Sequence, residues 1–314
     1  MDLSQVADRM RRDVEILASR PRHRGIPGSM EAARDYCIAA VERLGWQVTQ
    51  LPFRSRPALL RTSDYGRKWW PAGAGGPIQG VNVIAHRGNP DGAVWLLAHL
   101  DSVHRSPGAD DNASGVAVLL ECARHDLGEN VALVFTDSEE AGVLGSYYLA
   151  RERIRPGLVI NLESVGYFRD EPGTQRLIPE LVLTQRDTVK HLRKEGLRGN
   201  FLLAAHRPNS AAAATTWHEH AINAGLRNVL VEDRRWNGGG QHITARVNPI
   251  GMNLDRSDHA RFWRAQVPAM MITDTAPLRN HNYHTATDTH DTLDYPRMAL
   301  LAETLTGAVP ALRC

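Results

Sequence analysis

The stretch "AHLDSVHRSPGADDNASG", residues 98–115, decides the fold and carries a first group of metal-binding side chains. An apolar run at residues 93–98 leads into it, as is typical of a strand covered on both faces. Apolar residues at helical spacing follow from residue 112 to 124. This order predicts one strand–loop–helix unit of a parallel sheet, with His99, Asp101 and Asp110 in its loop.

The same alternation extends to both sides of this unit. A first helix is indicated by apolar residues at Val6, Met10, Val14 and Leu17. A second helix is expected to be capped by Ser29 and to end at Gly45. Further helices are expected at residues 142–151 and from about 295 to 309, and strands at "WQVTQLPF", "VNVIA", "AVWLLA", "VALVFT", "LVINL", "RNVLVE" and "VPAMMIT". The pattern predicts an α/β fold, a three-layer sandwich whose mostly parallel mixed sheet has helices on both faces.

Residues 1–314 contain no internal repeat or linker, so a single catalytic domain is expected, with loop-rich insertions at 54–80 and about 166–256 around the site. The first insertion has Trp69 and Trp70 near its tip. The second carries the glycine-rich loop 236–242 and Arg234, Arg235 and Arg246 nearby. A binding role and an ordinary loop role both remain open for these segments.

Composition excludes several function classes. The 314 residues are 42% hydrophobic and 23% charged, with a net charge of +2, so no basic surface for nucleic acid or an anionic membrane is expected. No run of 18 apolar residues and no signal-peptide pattern occurs, so a cytoplasmic location is expected unless a leader has been removed. Cys37 and Cys122 fall on apolar helix faces and are predicted to be buried free thiols, and Cys314 is the third cysteine.

Carboxylates and imidazoles follow several of the predicted strands. Because ligands of open α/β sheets bind beyond the carboxyl ends of the strands, these side chains are expected to meet at one edge. The residues concerned are His99, Asp101, Asp137, Glu139, Glu140, Glu163, Asp274 and His284.

This set suits a pair of metal ions. Two divalent ions about 3.5–4 Å apart need a bridging carboxylate and further ligands on each side. Zinc with an open coordination position takes histidine nitrogen and carboxylate oxygen. The sequence offers His99, Asp110, Glu140, Glu163 and His284 as ligands. Glu139 lies beside Glu140, and because adjacent side chains diverge, it can face the reacting water as a general base.

Taken in order, these blocks resemble the di-zinc aminopeptidases, a family that includes bacterial leucyl aminopeptidases, glutamate carboxypeptidase and glutaminyl cyclase. The similarity covers most of the chain. The matching stretches are "RGIPGSMEAARDYCIAAVERLGW", "AHLDSV" with "PGADDNASG", "TDSEEAGVLGS", "VINLESVG", and "SDHARFWRAQVPAMMITDT" with "NYHTATDT".

The resemblance implies a ligand set. Asp110 would bridge two zinc ions. His99 and Glu163 would complete one site, and Glu140 and His284 the other. Many family members carry Asp where this chain has Glu163, and the longer side chain changes how the ion and the substrate amine are held.

The resemblance also implies three catalytic roles. Glu139 would take a proton from the attacking water and pass it to the leaving amine. Asp101 would hold the second nitrogen of His99, and Tyr283 would steady the oxyanion. A cis peptide is expected between Asp110 and Asp111, as in relatives.

These roles favour a zinc aminopeptidase that cleaves N-terminal residues from peptides. Alternatives are a carboxypeptidase or another aminoacyl-amide hydrolase on the same site. A glutaminyl cyclase is less favoured because those enzymes generally hold one zinc. A binding protein on an inactive scaffold, as in the transferrin receptor, would lack ligands that this chain keeps.

Other histidines are assigned structural roles or left open. His218 and His220 in "WHEH" diverge by about 200° on a helix, so a structural role is expected. His259 is expected to pack near the site, with Ser257 or Asp258 capping a helix. Two roles stay open for His281, a supporting role beside His284 and an exposed position at the surface.

Overall fold

The computed structural model describes residues 2–55, 76–177, 179–233 and 252–312. Several features noted in the sequence lie outside these residues. They are Trp69, Trp70, the glycine-rich loop 236–242, Arg234, Arg235, Arg246 and Cys314.

The described chain alternates strands and helices. The strands are β1 Gln47–Arg54, β2 Gln79–His86, β3 Val94–His99, β4 Val131–Thr136, β5 Leu158–Glu163, β6 Leu202–His206, β7 Asn228–Glu232 and β8 Ala269–Thr273. The α-helices are α1 Leu3–Leu17, α2 Ser29–Glu42, α3 Gly115–Cys122, α4 Leu144–Leu149, α5 Pro179–Thr184, α6 Arg186–Lys194, α7 Ala211–Asn223, α8 His259–Arg264, α9 Ala276–Arg279 and α10 Tyr295–Ala308. A wide π-helical turn, Ala109–Ser114, precedes α3.

The strands form one mixed sheet in the order β1-β2-β4-β3-β5-β8-β6-β7. Its centre is parallel, since β3 pairs in parallel with β4 and β5, and β5 with β8. The antiparallel pairs are β1–β2, β2–β4 and β6–β8. The expected α/β fold with a mostly parallel mixed sheet is confirmed.

Alternate residues of the central strands enter two separate apolar cores. On β3, Leu96 packs into the core formed with α1, α2, α3, α7 and α10. Its neighbour Trp95 packs into the core on the other face, with α5, α6 and α8. Both side chains are fully buried, which explains why the strand reads as a continuous apolar run rather than an alternating one.

The helix starts and ends differ in detail from the sequence prediction. Gly28, in the left-handed region, occupies the cap position of α2, so the prediction that Ser29 caps this helix is wrong. The Ser29 hydroxyl instead donates to the Pro21 carbonyl and accepts the His23 N–H, which ties the helix start to the preceding loop.

Two helices are shorter than expected. The helix predicted at 112–124 begins only at Gly115, because the Asn112 side chain bonds the Leu162 carbonyl and the Ser164 N–H instead of facing a helix surface. The helix predicted at 142–151 begins at Leu144, because Gly142 and Val143 both have positive φ.

The segment expected to be a loop-rich insertion, about 166–256, is largely regular where it is described. It contributes α5, α6 and α7 and extends the sheet by β6 and β7. Strand β6 was missed because "LLAAH" contains no β-branched residue. His218 bonds the Asn228 side chain at 2.5 Å and so joins α7 to β7. Among the described residues no helix has the length and apolar character needed to cross a bilayer.

The buried Arg22 side chain joins α1 to the 98–115 stretch. Its guanidinium donates to the backbone carbonyls of Leu17, Leu100, Pro107 and Gly108 at 2.6–3.0 Å. The side chain is 1% exposed, and burial lowers its pKa. One cation therefore satisfies four carbonyls beneath the loop that carries the polar side chains.

We expect Arg22→Met to lower the free energy of unfolding by about 3 kcal/mol, because it leaves buried carbonyls without donors. Urea denaturation in the presence of a chelator measures this without a contribution from bound metal. Exposed Arg20, which donates to the Gly28 carbonyl, provides the control, and Arg20→Met should change stability by less than about 0.5 kcal/mol. Equal losses in the two variants would contradict the role given to Arg22.

Candidate metal centre

Three neighbouring parallel strands deliver polar side chains to one edge of the sheet. β3 ends at His99 and β5 at Glu163, and Glu139 and Glu140 follow the end of β4. Because β4, β3 and β5 are adjacent and parallel, their carboxyl ends lie side by side. The expected convergence at this edge is therefore present in the structure.

The chain leaves these strands through unusual backbone conformations. Ser138, Ser164 and Thr275 follow β4, β5 and β8 with φ of 59°, 50° and 68°. His284 has a φ of 61°. Non-glycine residues in this region carry local strain, which is tolerated where the surroundings fix a functional geometry.

Two groups of ligand atoms share one carboxylate. In the first group, His99 Nε2 lies 3.2 Å from Asp111 Oδ1 and 3.4 Å from Glu163 Oε2. In the second, His284 Nε2 lies 3.0 Å from Asp111 Oδ2 and 3.1 Å from Glu140 Oε1. We call these the His99 cluster and the His284 cluster. Asp111 presents one oxygen to each of them.

Most of the ligand atoms lack hydrogen-bond partners. His99 Nε2, both Asp111 oxygens, Glu140 Oε1 and His284 Nε2 are buried and make no hydrogen bond with the described residues. Buried polar atoms are normally satisfied, and each one left unsatisfied costs about 1–3 kcal/mol. Histidine nitrogens and carboxylate oxygens are the donors that catalytic zinc sites use. The residues present therefore fit a pair of divalent cations.

Asp110, the expected bridging residue, belongs to neither cluster. Its carboxylate accepts the Gly166 N–H at 3.0 Å and the Asn280 amide at 2.7 Å. The shared position is held by Asp111, and the cis peptide lies between Asp111 and Asn112 rather than one residue earlier. The expectation for Asp110 does not fit the structure, because adjacent side chains of the turn point to different surroundings. Burial raises the pKa of Asp110 to about 6.

Asp101 makes hydrogen bonds that position residues of both clusters. Its carboxylate accepts the N–H groups of Glu139 at 2.9 Å and Glu140 at 3.1 Å. The Nδ1 atom of His99 lies 3.0 Å from the Asp101 backbone carbonyl and 3.5 Å from its Oδ1. An N–H at Nδ1 donates to this carbonyl, which leaves Nε2 with a lone pair for a metal.

Glu139 is buried beside the clusters but contributes to neither. Burial raises its pKa well above the usual range, the nearby Glu163, Glu140 and Asp258 raise it further, and His99 opposes them. Strongly shifted pKa values of this kind are typical of carboxyl groups that take part in proton transfer. Its role as a base stays a prediction.

The sequence missed the residues that hold Glu163. Ser257 donates to Glu163 Oε2 at 2.5 Å, and the Asn161 amide donates to the Ser257 hydroxyl at 2.7 Å. The sequence predicts that Ser257 or Asp258 caps a helix. In the structure neither side chain does so at the start of α8. Asp258 instead accepts the Thr136 hydroxyl at 2.5 Å. A buried Asn161 within the apolar "LVINL" was the available signal.

Tyr283 and His281 lie on the loop that carries His284. The Tyr283 ring stacks on the His284 imidazole, with centroids 3.9 Å apart. Burial and the nearby Asp111 and Glu140 raise the pKa of Tyr283 well above its usual range, so its hydroxyl stays protonated. His281 is exposed, with Nδ1 3.2 Å from the Tyr167 hydroxyl.

An apolar cavity of about 90 Å³ opens beside Glu163 and Tyr283. Thr273, Thr275, Ser164 and Arg256 are its other polar lining residues. The apolar lining consists of Leu181, Leu203, Leu254, Met271, Pro277 and Leu278. The residues between β5 and α8 thus help to build a pocket next to the His99 cluster.

Comparison with known proteins shows similarity to peptidases in both sequence and fold. The family model "Peptidase family M28" matches residues 82–196 and 233–309. The chain is 34% identical over 251 residues to uncharacterized protein YfbL of Escherichia coli (strain K12), covering 73% of this chain and 69% of that protein. It is 38% identical over 98 residues to aminopeptidase YwaD of Bacillus subtilis (strain 168), covering 28% of this chain and 21% of that protein. The solved aminopeptidase from Aneurinibacillus sp. strain AM-1 shares the fold, with a TM-score of 0.66, 18% identity and coverage of 96% of this chain and 93% of that one.

We expect Asp111→Asn to weaken zinc binding by more than about 100-fold, because it removes the carboxylate shared by both clusters. Asp110→Asn is the matched neighbour and should weaken zinc binding less, by about 10–100-fold, as substitutions of supporting residues do. Equilibrium dialysis against zinc, followed by metal analysis, compares the two variants. A greater loss in Asp110→Asn would restore Asp110 as the shared residue.

Proposed function

Because the chain belongs to peptidase family M28, we propose that it is an aminopeptidase that holds two zinc ions and releases N-terminal residues from peptides. Membership of this family confirms the expected class, a zinc metallopeptidase. The number of ions, the ligand set and the direction of cleavage are our proposal. The position of Asp111 between two imidazoles is the observation that carries it.

The two clusters support two ions rather than one. His99 and Glu163 would hold one ion and Glu140 and His284 the other, with Asp111 between them. When bound, such a pair polarises the substrate carbonyl and generates a nucleophile at neutral pH. The ligand atoms of each cluster already lie within 4.8 Å of one another, so little rearrangement is required.

Glu139 is proposed to carry the proton through the reaction. It takes a proton from water as the water oxygen bonds to the carbonyl carbon, and gives it to the amide nitrogen as the carbon–nitrogen bond breaks. Burial and the neighbouring carboxylates raise the pKa of Glu139, which favours the protonated form that delivers the proton to the amide nitrogen. Tyr283 donates a hydrogen bond through its hydroxyl to the developing oxyanion and keeps its proton, and Asp101 holds Glu139 by accepting its backbone N–H.

Cleavage at the N-terminus is supported by the surroundings of Glu163. A free amine carries a positive charge and fits between the carboxylates of Glu139 and Glu163. The apolar cavity beside Glu163 then receives the side chain of the first residue. Its leucine and methionine lining favours an aliphatic side chain over a charged one.

The alternatives differ in the substrates that they require. A carboxypeptidase or aminoacyl-amide hydrolase would use the same clusters. A glutaminyl cyclase would act without water on N-terminal glutamine. A non-catalytic scaffold is disfavoured because both clusters are complete in the described residues.

We expect Glu139→Gln to keep its zinc and to lower kcat on leucine anilide by about 10³-fold, within the range for loss of a general base. Exposed Glu152 gives the matched control, and Glu152→Gln should retain wild-type kcat. Activity and zinc content are measured on the same samples. Full activity in zinc-loaded Glu139→Gln would remove Glu139 from the mechanism.

The direction of cleavage is tested with leucyl-glycyl-glycine and its N-acetylated form. Aminopeptidase activity requires release of leucine from the free peptide and no release from the acetylated one. Release of the C-terminal glycine from both peptides would identify a carboxypeptidase. Conversion of glutaminyl peptides to pyroglutamyl peptides without hydrolysis would identify a cyclase.

The apolar cavity predicts a specificity change. Leu203→Phe adds volume to its wall, so kcat/KM for leucine anilide should fall by about tenfold relative to alanine anilide. The ratio of the two kcat/KM values removes effects on overall stability. An unchanged ratio would show that the first side chain does not enter this cavity.

A further inference from the structure

A second, polar cavity of about 330 Å³ is lined by residues that follow β5 and β8 in the chain, and it has no role in the proposed reaction so far. Two of its lining residues are arginines, and Glu171 is the acid among them. We call it the Arg169–Arg279 pocket; its lining residues are Tyr167, Arg169, Glu171, Thr174, Arg279 and His281.

Arg279 carries a buried donor without a partner. Its Nε donates to Gln175 Oε1 at 2.8 Å, and its Nη1 donates to the carbonyls of Gly199 and Phe201 at 3.0 and 2.9 Å. Its Nη2 has no hydrogen-bond partner among the described residues, although the residue is only 8% exposed. No carboxylate of the described residues forms an ion pair with this guanidinium. Because buried donors are normally satisfied, Nη2 is a donor that a ligand can engage.

Arg169 is held in position from one side. Its Nε donates to the Tyr167 hydroxyl at 3.0 Å, and its guanidinium lies 4.6 Å from the centre of the Tyr167 ring. In the described part of the chain its terminal nitrogens make no hydrogen bond. The stacked, half-buried guanidinium thus presents a fixed pair of donors at low entropic cost.

The Tyr167 hydroxyl also orients His281. This hydroxyl accepts from Arg169 and forms a second hydrogen bond with His281 Nδ1 at 3.2 Å, as donor or acceptor according to the imidazole tautomer. The Tyr167 hydroxyl thus connects His281 to Arg169, and the two guanidinium groups give the pocket its donors and its positive charge.

The pocket is within reach of a short substrate. His281 lies three residues before His284, and Tyr167 lies four residues after Glu163. At most about 3.6 Å per residue, these separations place the two Cα pairs within about 11 and about 14 Å. A dipeptide or tripeptide with its scissile bond at the clusters covers a comparable distance.

We propose that the Arg169–Arg279 pocket binds a carboxylate, and that this is the C-terminal carboxylate of a dipeptide or tripeptide substrate. The second part rests on the proposed aminopeptidase function, whereas the first does not. Planar guanidinium groups pair with carboxylates through two parallel hydrogen bonds, which suits the free donors of Arg169 and Arg279.

Direct binding tests the pocket independently of catalysis. Zinc-loaded protein is titrated calorimetrically with glutarate and, separately, with inorganic phosphate. Arg169→Gln should weaken glutarate binding at least tenfold. Exposed Arg153 is the control, and Arg153→Gln should leave the affinity for glutarate unchanged. Glutarate affinity that is the same in Arg169→Gln would overturn the proposal, as would an effect of this variant on phosphate alone.

Kinetics identify the source of the carboxylate. Wild-type protein should prefer leucyl-glycyl-glycine over its C-terminal amide by about tenfold in kcat/KM. Arg169→Gln and Arg279→Lys should bring this ratio close to one, whereas the control Arg153→Gln should keep the wild-type ratio.

Equal kcat/KM for the acid and the amide in wild-type protein would overturn the assignment to the peptide terminus. If no peptide or anilide is hydrolysed, the proposed function fails, and the glutarate titration still decides whether the pocket binds a carboxylate. Arg279→Lys keeps the positive charge, and Arg169→Gln leaves the carbonyl contacts of Arg279 intact, so the test does not depend on one variant folding.

Discussion

The Asp111 carboxylate between two imidazoles is the interaction on which the site depends. Burial alone would raise the pKa of Asp111, but His284 and His99 outweigh it and lower that pKa. Burial likewise opposes a charged His284, yet Glu140 and Asp111 raise its pKa to about 11. The carboxylates thus favour positive charge where the two clusters meet, and Asp288 supports this arrangement by accepting the backbone N–H of Asp111 at 3.2 Å.

Buried asparagines connect the strands to this centre. The Asn112 side chain bonds the Leu162 carbonyl and the Ser164 N–H, so the turn that carries Asp111 is tied to the end of β5. Asn161, one position before Leu162, acts on Glu163 through Ser257. Each amide satisfies backbone or hydroxyl groups that would otherwise be buried without partners. The sheet therefore fixes the ligands through polar residues placed inside apolar strands.

The sequence was sufficient for features that depend on local pattern and strand direction. It predicted the sheet and the convergence of His99, Glu140, Glu163 and His284, because parallel strands share one edge. It could not separate Asp110 from Asp111, since the choice depends on the backbone path of residues 109–114, which has no regular period. The Arg169–Arg279 pocket was also invisible, because Arg279 meets its carbonyl partners 78 and 80 residues away.

In the proposed function, the apolar cavity binds the first side chain of a peptide and the polar Arg169–Arg279 pocket binds its C-terminal carboxylate. The apolar cavity gains free energy from removing an aliphatic side chain from water, which depends little on geometry. The Arg169–Arg279 pocket gains from directional hydrogen bonds, which require the peptide to have a particular length. Binding at a point remote from the scissile bond accelerates hydrolysis only if it holds the carbonyl where Glu139 and the clusters act. A substrate anchored at both ends meets this condition, because neither end can move without losing its contacts.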